Sequence, residues 1–183
     1  MTAPLDATGE ANSFARHVGI KLCQYYQAQY NADFICGIPC NMYGPNDHFD
    51  GRHVLSGLLQ RFYEAKIKNF STVDVWGTGK PRREFLYIDD ATDICIFLMN
   101  NEIKSILTNI STGIDYSIEE LAHTIAKITN YGGKLVFDHT KPDGIPMRLL
   151  DNARLRQAGY IQQFKSLEDG LKETLDWFMR EAK

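Results

Sequence analysis

One histidine and a set of arginines are the residues of this sequence best suited to chemistry on a charged ligand. His53 precedes a run with helical spacing, and the positive end of a helix dipole disfavours a protonated imidazole. A neutral imidazole beside a ligand acts as an acid or a base. Arg61, Arg82 with Arg83, and Arg148 lie in three segments, and guanidinium groups bind phosphate through paired hydrogen bonds. These residues predict an anion site. The alternatives are a solvated surface for the arginines and a plain helix cap for the histidine.

Three further segments have the composition of ligand-binding loops. Residues 39–45, Pro-Cys-Asn-Met-Tyr-Gly-Pro, follow a strand-like run, and ligands of open α/β sheets bind beyond the carboxyl ends of strands. Trp76 ends another strand-like run before Gly77-Thr-Gly79, where an indole could stack on a base or a sugar. Residues 141–146 form a loop made rigid by two prolines, and this loop carries Asp143. Plain turns and a tryptophan at the rim of the core are the alternatives.

Helical and strand-like patterns alternate along the chain. Apolar side chains three and four apart predict an amphipathic helix over 12–30, and a buried strand follows over 34–39. The segment 41–52 is rich in Asn, Asp, Gly and Pro and predicts a loop before a helix over 53–65. The same patterns predict strands at 73–76, 85–88, 107–110 and 135–137 and helices at 91–99, 117–129, 151–159 and 166–178.

Local signals also mark where two of the helices begin. Asp89 or Asp90 is predicted to cap the helix over 91–99, and Ser117-Ile-Glu-Glu120 has the spacing of a capping box. Alternation of helices and strands is typical of α/β proteins. The sequence therefore predicts an α/β fold, without repeats and without a linker that would divide it.

The composition excludes several classes of protein. With 183 residues, 44% hydrophobic and 23% charged, and a net charge of −3, the chain is neither disordered nor a nucleic-acid binder held by a broad basic surface. Its longest apolar run, residues 94–99, is far shorter than the ~20 residues of a membrane helix. Residues 1–11 lack the stretches of a secretion signal, so we expect a cytoplasmic protein. We expect no metal site, and buried free thiols at Cys23, Cys36, Cys40 and Cys95.

Several segments, taken together and in order, resemble the GDP-L-fucose synthase family of extended short-chain dehydrogenases. They are Gly19-Ile-Lys-Leu-Cys23, Asn41-Met-Tyr-Gly-Pro-Asn-Asp47, His53-Val54, Val75-Trp-Gly-Thr-Gly79, Arg83-Glu-Phe-Leu86, Asp89-Asp90, Lys141-Pro-Asp-Gly144 and Leu149-Leu-Asp151. The resemblance covers essentially the whole chain. It implies an NADP-dependent epimerase and reductase that acts on a GDP-4-keto-6-deoxy sugar.

The resemblance also implies roles for individual residues. His53 stands at the family's proton-transfer histidine. The GDP-sugar contacts of the family are matched by Arg61, Trp76, Arg83 and Asp143, and a basic position of the same loop by Arg148. The nicotinamide end of the cofactor would lie against Pro39, Cys40, Asn41 and Met42. The chemistry agrees, because cations suit a diphosphate, an aromatic ring suits a flat ligand surface and a histidine suits proton exchange beside a keto group.

Two positions depart from the family's pattern. The resemblance implies a catalytic Tyr-x-x-x-Lys on the helix over 12–30, and Asn12 and Arg16 stand at these two positions. Asparagine donates a hydrogen bond but cannot act as a general acid. Arginine keeps the positive charge of the lysine but is bulkier and forked. We therefore expect this chain alone neither to reduce a keto sugar nor to bind NADP tightly.

The sequence matches the later part of the family's pattern. We expect an incomplete Rossmann-type sheet from residues of about 1–45 and 85–110, and a small α/β substrate-binding part from about 46–84 and 111–183. The family's glycine-rich phosphate loop and Ser-x-Cys segment have no counterpart in the 183 residues, so NADP is implied only if a Rossmann half is supplied. The apolar helix and the strand edge at 34–39 predict a homodimer or a partner chain.

Three functions remain open on the sequence alone. The first is a GDP-sugar-binding remnant of the family, a pseudoenzyme without reductase activity of its own. The second is the C-terminal half of a split NADP-dependent nucleotide-sugar epimerase and reductase. The third is a structural or interaction module that has lost its ligand. None of the three involves nucleic acid or a membrane.

Overall fold

The structure is a computed structural model that describes residues 10–51, 53–101 and 107–181. Helices and strands alternate along it, as predicted. The helices are α1 (Glu10–Tyr30), α2 (Val54–Ile67), α3 (Ile88–Asn100), α4 (Ile118–Thr129), α5 (Ala153–Gln157) and α6 (Leu167–Glu181). The strands are β1 (Cys36–Pro39), β2 (Asn41–Tyr43), β3 (Thr72–Trp76), β4 (Arg82–Tyr87), β5 (Leu107–Ile110), β6 (Asp115–Ser117), β7 (Lys134–Asp138) and β8 (Met147–Arg148).

Short parallel pairings connect strands that are distant in the sequence. β1 pairs with β5, β2 with β4, and β3 with β7, each in parallel. The first half of β4 also pairs with β6, antiparallel, and with β8, parallel. β4 therefore joins strands from the beginning, the middle and the end of the chain, and residues near β4 are held by all of them.

Two apolar clusters form the core. The larger packs α2, α4 and α6 against β3, β4 and β7, and its most completely buried members are Leu59, Phe62, Leu121, Ala122, Ile125 and Leu171. The smaller one lies between α3, β5 and α5 and is centred on Ile94 and Leu155, both fully buried. Apolar residues spaced three and four apart along α2 explain why one face of that helix is buried.

The helix starts were predicted correctly in one case and wrongly in another. Ser117 caps α4 with the reciprocal hydrogen bonds of a capping box to Glu120, which confirms that prediction. The cap of α3 is Tyr87, without a side-chain hydrogen bond, so the prediction of Asp89 or Asp90 is wrong. The physical reason is that α3 continues directly from β4, which puts both aspartates inside the first turn. There Asp90 accepts the backbone N–H of Lys165.

Tertiary pairing also corrects four points of the strand predictions. Residues 41–43 were predicted as part of a loop but form β2, because β4 provides a partner for their backbone. Residues 44–51 have no helix or strand, as predicted, while Arg52 and residues 1–9 lie outside the described residues. β4 begins at Arg82 rather than Phe85, and β6 and β8 were not predicted at all, because both exist only by pairing with β4.

α1 is the amphipathic helix that the sequence predicts, but none of its residues is buried. Within the described segments, β1 is hydrogen-bonded to a neighbour on one edge only. Cys23, Cys36 and Cys40 are half-buried and Cys95 is exposed, all four as free thiols, so the expectation of fully buried thiols is wrong. The reason is that Cys23 and Cys36 belong to α1 and β1, which present uncovered faces.

Two negative findings apply to residues 10–51, 53–101 and 107–181. No helix there is long and apolar enough to cross a bilayer. No group of three histidine, cysteine, aspartate or glutamate side chains there has the arrangement of a metal site.

Candidate functional site

An exposed tryptophan with two cations close to its ring marks the most distinctive surface of the molecule. Trp76 ends β3 with 62% of its surface exposed. The guanidinium of Arg61 lies 5.5 Å from the indole centroid and the ammonium of Lys141 lies 5.8 Å from it. Cations at these distances are attracted to the indole ring. The indole and its cations together suit a ligand that is both flat and negatively charged.

Arg61 is held in place from two sides. Its Nη1 donates to the carbonyl of Asp74 at 2.9 Å and its Nε donates to the carbonyl of Gly57 at 3.4 Å. Burial lowers the pKa of the Arg61 guanidinium, and the nearby Asp74 carboxylate opposes this effect. Arginine stays protonated at neutral pH despite such a shift. The charge beside Trp76 is therefore permanent.

Asp143 ties the 141–146 loop to the turn after β3. One carboxylate oxygen accepts the backbone N–H of Thr78 at 2.6 Å, and the other accepts its hydroxyl at 2.7 Å. Gly77 has φ +81°, and a Cβ at this position would collide with the Asp143 carboxylate. Glycine is therefore needed at position 77 both for the backbone conformation and for the approach of the loop.

The tie between Asp143 and Thr78 is expected to open in acid. The two hydrogen bonds from Thr78 hold the pKa of Asp143 below its ordinary value. The stabilisation is therefore complete above the unfolded-state pKa of about 3.9 and is lost as the pH falls through the lower, folded-state pKa. We expect the NMR chemical shift of the Thr78 amide to titrate with a midpoint below that value. Asp143→Ala should abolish the titration, and a midpoint at or above about 3.9 would contradict the prediction.

Two arginines stand side by side near the same loop. Arg83 of β4 is in register with Arg148 of β8. Burial lowers the pKa of Arg83, and the positive charge of Arg148 lowers it further. An ideal Cβ at Gly144 would lie 3.7 Å from Nη2 of Arg83, which places this pair next to the residue that follows Asp143. The two positive charges on neighbouring strands repel each other, and an anion bound between them would relieve the repulsion.

These contacts bring together most of the residues predicted to bind a ligand. We call the group the basic cluster; it consists of Arg61, Trp76, Arg83, Lys141, Asp143 and Arg148. The cluster is built from the ends of three strands, one helix and one loop. Its arrangement can hold an anion and an aromatic ring at the same time.

The three positions that the resemblance assigned to catalysis are all exposed. His53 is the exposed N-cap residue of α2 and makes no side-chain capping bond. It precedes Arg61 by two helical turns, a rise of roughly 12 Å. Asn12 and Arg16 are exposed on α1. Within the described part of the chain, no hydrogen bond or ion pair joins either of them to His53.

Residues 39–42, the segment predicted to face a cofactor, make hydrogen bonds to other parts of the chain. The backbone N–H of Cys40 donates to Ile110 at 3.0 Å, and the Asn41 side-chain amide donates to the carbonyl of Glu84 at 2.9 Å. Burial, reinforced by the negative charge of Glu84, raises the pKa of Cys40 to about 12. Pro39 is half-buried, which leaves the exposed Met42 as the main free side chain.

Three residues of the site were not singled out from the sequence. Thr78 and Lys141 lie inside motifs that were recognised, but only the folded chain shows that they contact Asp143 and Trp76. Glu84 is fully buried and hydrogen-bonded. A charged residue followed directly by an apolar strand-like run was the signal that could have found it.

Comparison of the chain with known proteins shows the family to which it belongs. The model of the NAD dependent epimerase/dehydratase family matches residues 1–111. The chain belongs to this family. Its sequence is 44% identical over 186 residues to GDP-L-fucose synthase of Escherichia coli K12 and 43% identical over 182 residues to GDP-L-fucose synthase 1 of Arabidopsis thaliana. These matches cover 96% and 98% of this chain but 58% and 56% of the two relatives, so the chain spans a little over half their length.

Solved structures agree with the sequence comparison. A GDP-L-fucose synthetase of Naegleria fowleri bound to NADP superposes with a TM-score of 0.92 at 29% identity, over 98% of this chain and 59% of that one. A GDP-D-glycero-L-gluco-heptose synthase of Campylobacter jejuni superposes with a TM-score of 0.84 at 30% identity, over 98% of this chain and 62% of that one. The expected resemblance to GDP-L-fucose synthases and the expected fold class are both confirmed.

Proposed function

We propose that the basic cluster binds the nucleotide diphosphate of a GDP-sugar. The observation that carries the proposal is the pair Arg83 and Arg148, two arginines in register next to the loop that Asp143 ties to the turn after the exposed Trp76. In this arrangement the arginine pair receives the diphosphate and Trp76 receives a flat face of the nucleoside. Arg61 and Lys141 add positive charge on the indole side. The relatives GDP-L-fucose synthase and GDP-D-glycero-L-gluco-heptose synthase support this ligand class by their names.

Asp143 has a supporting part in the proposed site. Both of its carboxylate oxygens are engaged by Thr78, so its carboxylate holds the 141–146 loop against the turn after Trp76. The loop places the Lys141 ammonium over the indole. We also propose that the division expected from the sequence, with a substrate-binding part at about 46–84 and 111–183, holds for this chain.

The described residues do not fit NADP as a tightly bound cofactor of this chain alone. The backbone N–H of Cys40 and one side-chain N–H of Asn41 are used by the carbonyls of Ile110 and Glu84, so residues 39–42 offer fewer free donors to a cofactor. Asn12, at the position of the family's catalytic tyrosine, has no proton of suitable acidity to give to a keto oxygen. We infer that the chain by itself neither binds NADP tightly nor reduces a keto sugar.

Calorimetric titration tests both parts of the proposed function. The chain is titrated with GDP, GDP-mannose, guanosine and NADPH at constant ionic strength. We expect micromolar binding of the two diphosphates, weaker binding of guanosine and no micromolar binding of NADPH. The absence of heat with GDP and GDP-mannose would overturn GDP-sugar binding and leave an interaction module. Micromolar NADPH affinity would overturn the second part.

The uncovered face of α1 favours a further proposal, association with a second copy of the chain. Large apolar side chains follow one another in steps of four residues along the helix, and each is 40–62% exposed: Phe14, Val18, Leu22, Tyr26 and Tyr30. Such a stripe on a helix face is typical of helix-to-helix packing. Two copies of one stripe can cover each other about a twofold axis.

Light scattering coupled to size exclusion measures this association. The unaltered chain is expected to elute at about twice the monomer mass because burial of the two stripes is favourable. Leu22→Asp together with Tyr26→Asp should give a monomer, since the charges cannot be buried unpaired. Ile161→Asp, at a residue that is 86% exposed, is the matched control and should leave the dimer intact. A monomeric unaltered chain would overturn the proposal, and a separately encoded partner would then be sought.

A further inference from the structure

Glu84 is a buried carboxylate at the junction of several segments. Its side chain is fully buried on β4, directly after Arg83. Oε1 accepts hydrogen bonds from the N–H of Gly113 at 2.7 Å, the hydroxyl of Ser111 at 2.8 Å and the hydroxyl of Thr112 at 2.9 Å. Oε2 accepts the N–H of Leu150 at 3.2 Å. Neutral donors thus satisfy both oxygens, as a buried carboxylate requires.

The donors belong to segments that frame the basic cluster. Ser111, Thr112 and Gly113 belong to the connection between β5 and β6. Leu150 follows Arg148 by two residues, so its tie to Glu84 fixes the chain immediately after β8. The Ser111 hydroxyl also lies 3.1 Å from the carbonyl of Leu150, which adds a second contact to the same residue.

A further tie reaches the segment expected to face a cofactor. The carbonyl of Glu84 accepts the side-chain amide of Asn41 at 2.9 Å. The carboxylate lies close enough to Cys40 to raise the pKa of its thiol, after the larger effect of burial. One residue of β4 is therefore in contact with residues 40–41, 111–113 and 150.

Glu84 and Arg83 are adjacent on one strand and point to opposite faces of it. The carboxylate is therefore not a ligand for the proposed diphosphate, and it does not neutralise the Arg83 guanidinium by contact. Its hydrogen bonds act on the backbone that carries Arg148. Because β8 has only two residues, its own pairing with β4 is short, and the tie at Leu150 extends it.

We infer that Glu84 is a positioning residue that holds Arg148 beside Arg83 and thereby sets the spacing of the diphosphate site. The inference rests on the proposed function of the basic cluster. The carboxylate acts through the backbone of Leu150, while Arg83 and Arg148 contact the ligand. Nothing in this role requires Glu84 to gain or lose a proton.

Glu84→Gln tests the inference with little change in shape. The amide nitrogen of glutamine is a donor and cannot accept the N–H of Leu150, so one tie is lost while the other oxygen keeps its contacts. We expect GDP affinity to fall about 10-fold, as for a lost charged hydrogen bond. Guanosine affinity, measured by NMR titration, should stay unchanged because the indole side is untouched. Amide exchange at Leu150 should be faster.

Two further variants separate positioning from general destabilisation. Ser111→Ala removes a milder contact to the same carboxylate and to Leu150. This variant should lower the affinity for GDP but not that for guanosine, and it provides a test even if Glu84→Gln fails to fold. Thr129→Val removes a buried hydroxyl that donates to Ile125, away from the cluster, and should leave both affinities unchanged.

The outcomes distinguish a failure of the proposed GDP binding from a failure of the role of Glu84. Failure of the unaltered chain to bind GDP contradicts the proposed function and this role together. Binding of GDP by the unaltered chain with equal affinity in the folded Glu84→Gln and Ser111→Ala variants contradicts the role of Glu84 alone. An equal loss of GDP and guanosine affinity would also contradict it, because the effect would then not be confined to the diphosphate.

Discussion

Replacing Arg83 and Arg148 together with alanine is expected to weaken GDP binding by about 100-fold or more, because each guanidinium contributes a charge-assisted hydrogen bond of about 1.5–3 kcal/mol to the diphosphate. The two side chains are in register on β4 and β8, so an anion can contact both at once. Calorimetric titration with GDP at constant ionic strength measures the effect.

The double variant must be distinguished from a loss of positive charge in general. Arg180→Ala is the matched control, since Arg180 lies near the end of α6 and bonds only the carbonyl of Asp176 on the same helix among the contacts shown. We expect this control to bind GDP as the unaltered chain does. Guanosine affinity should be the same in all three proteins. An equal effect of the control, or a loss below about 3-fold in the double variant, would contradict the assignment of the diphosphate to this pair.

The largest expected effect on stability is that of Phe62→Ala. Phe62 is fully buried on α2, inside the larger apolar cluster, and its ring meets Tyr131 edge to face with centroids 5.5 Å apart. Truncation removes the buried ring and leaves a cavity that the surrounding helices and strands fill only partly. We expect the free energy of unfolding in urea to fall by about 3–5 kcal/mol.

Phe70→Ala provides the matched control for this measurement. Phe70 lies a few residues further along the chain, and 54% of its surface is exposed. The same change of residue type there should alter the free energy of unfolding by no more than about 0.5 kcal/mol. A loss of less than about 1.5 kcal/mol in Phe62→Ala would show that the cluster around α2 and α4 closes over the gap or is loosely packed.

Local signals in the sequence predicted much of the secondary structure. The capping box at Ser117 and the apolar spacing of α2 act within a few residues of chain, so their consequences can be derived without knowing the fold. The strand at β3 was predicted in the same way, from alternation before Gly77. The residues of each of these elements are enough to explain why it forms.

The elements that were missed depend on partners distant in the sequence. Residues 41–43 look like a loop by composition and become β2 because β4 lies alongside. β8 has two residues and exists only through its pairing with Arg82 and Arg83. Asp90 is of a residue type that often caps helices. Because α3 follows β4 directly, Asp90 lies inside the first turn, and its carboxylate accepts the backbone N–H of Lys165. No local pattern contains that information.

The candidate site shows the same division. The sequence named Arg61, Trp76, Arg83, Asp143 and Arg148 as residues of the right chemistry. It did not reveal that Arg61 and Lys141 lie near the same indole, or that Asp143 binds Thr78 across 65 positions of the chain. Resemblance to the family assigned positions to Asn12, Arg16 and His53, and those assignments stay predictions.

By itself, the sequence determined the family, the α/β class, the helices with local caps and the identity of the charged and aromatic residues, because these depend on residue type and short-range spacing. Only the tertiary structure decided which of those residues stand together. In the folded chain Arg148 lies beside Arg83, and Asp143 binds the hydroxyl of Thr78. Glu84 is buried, and its carboxylate accepts the N–H of Leu150. The physical reason is that parallel strands need partners from remote parts of the chain, and the ends of those strands carry the site.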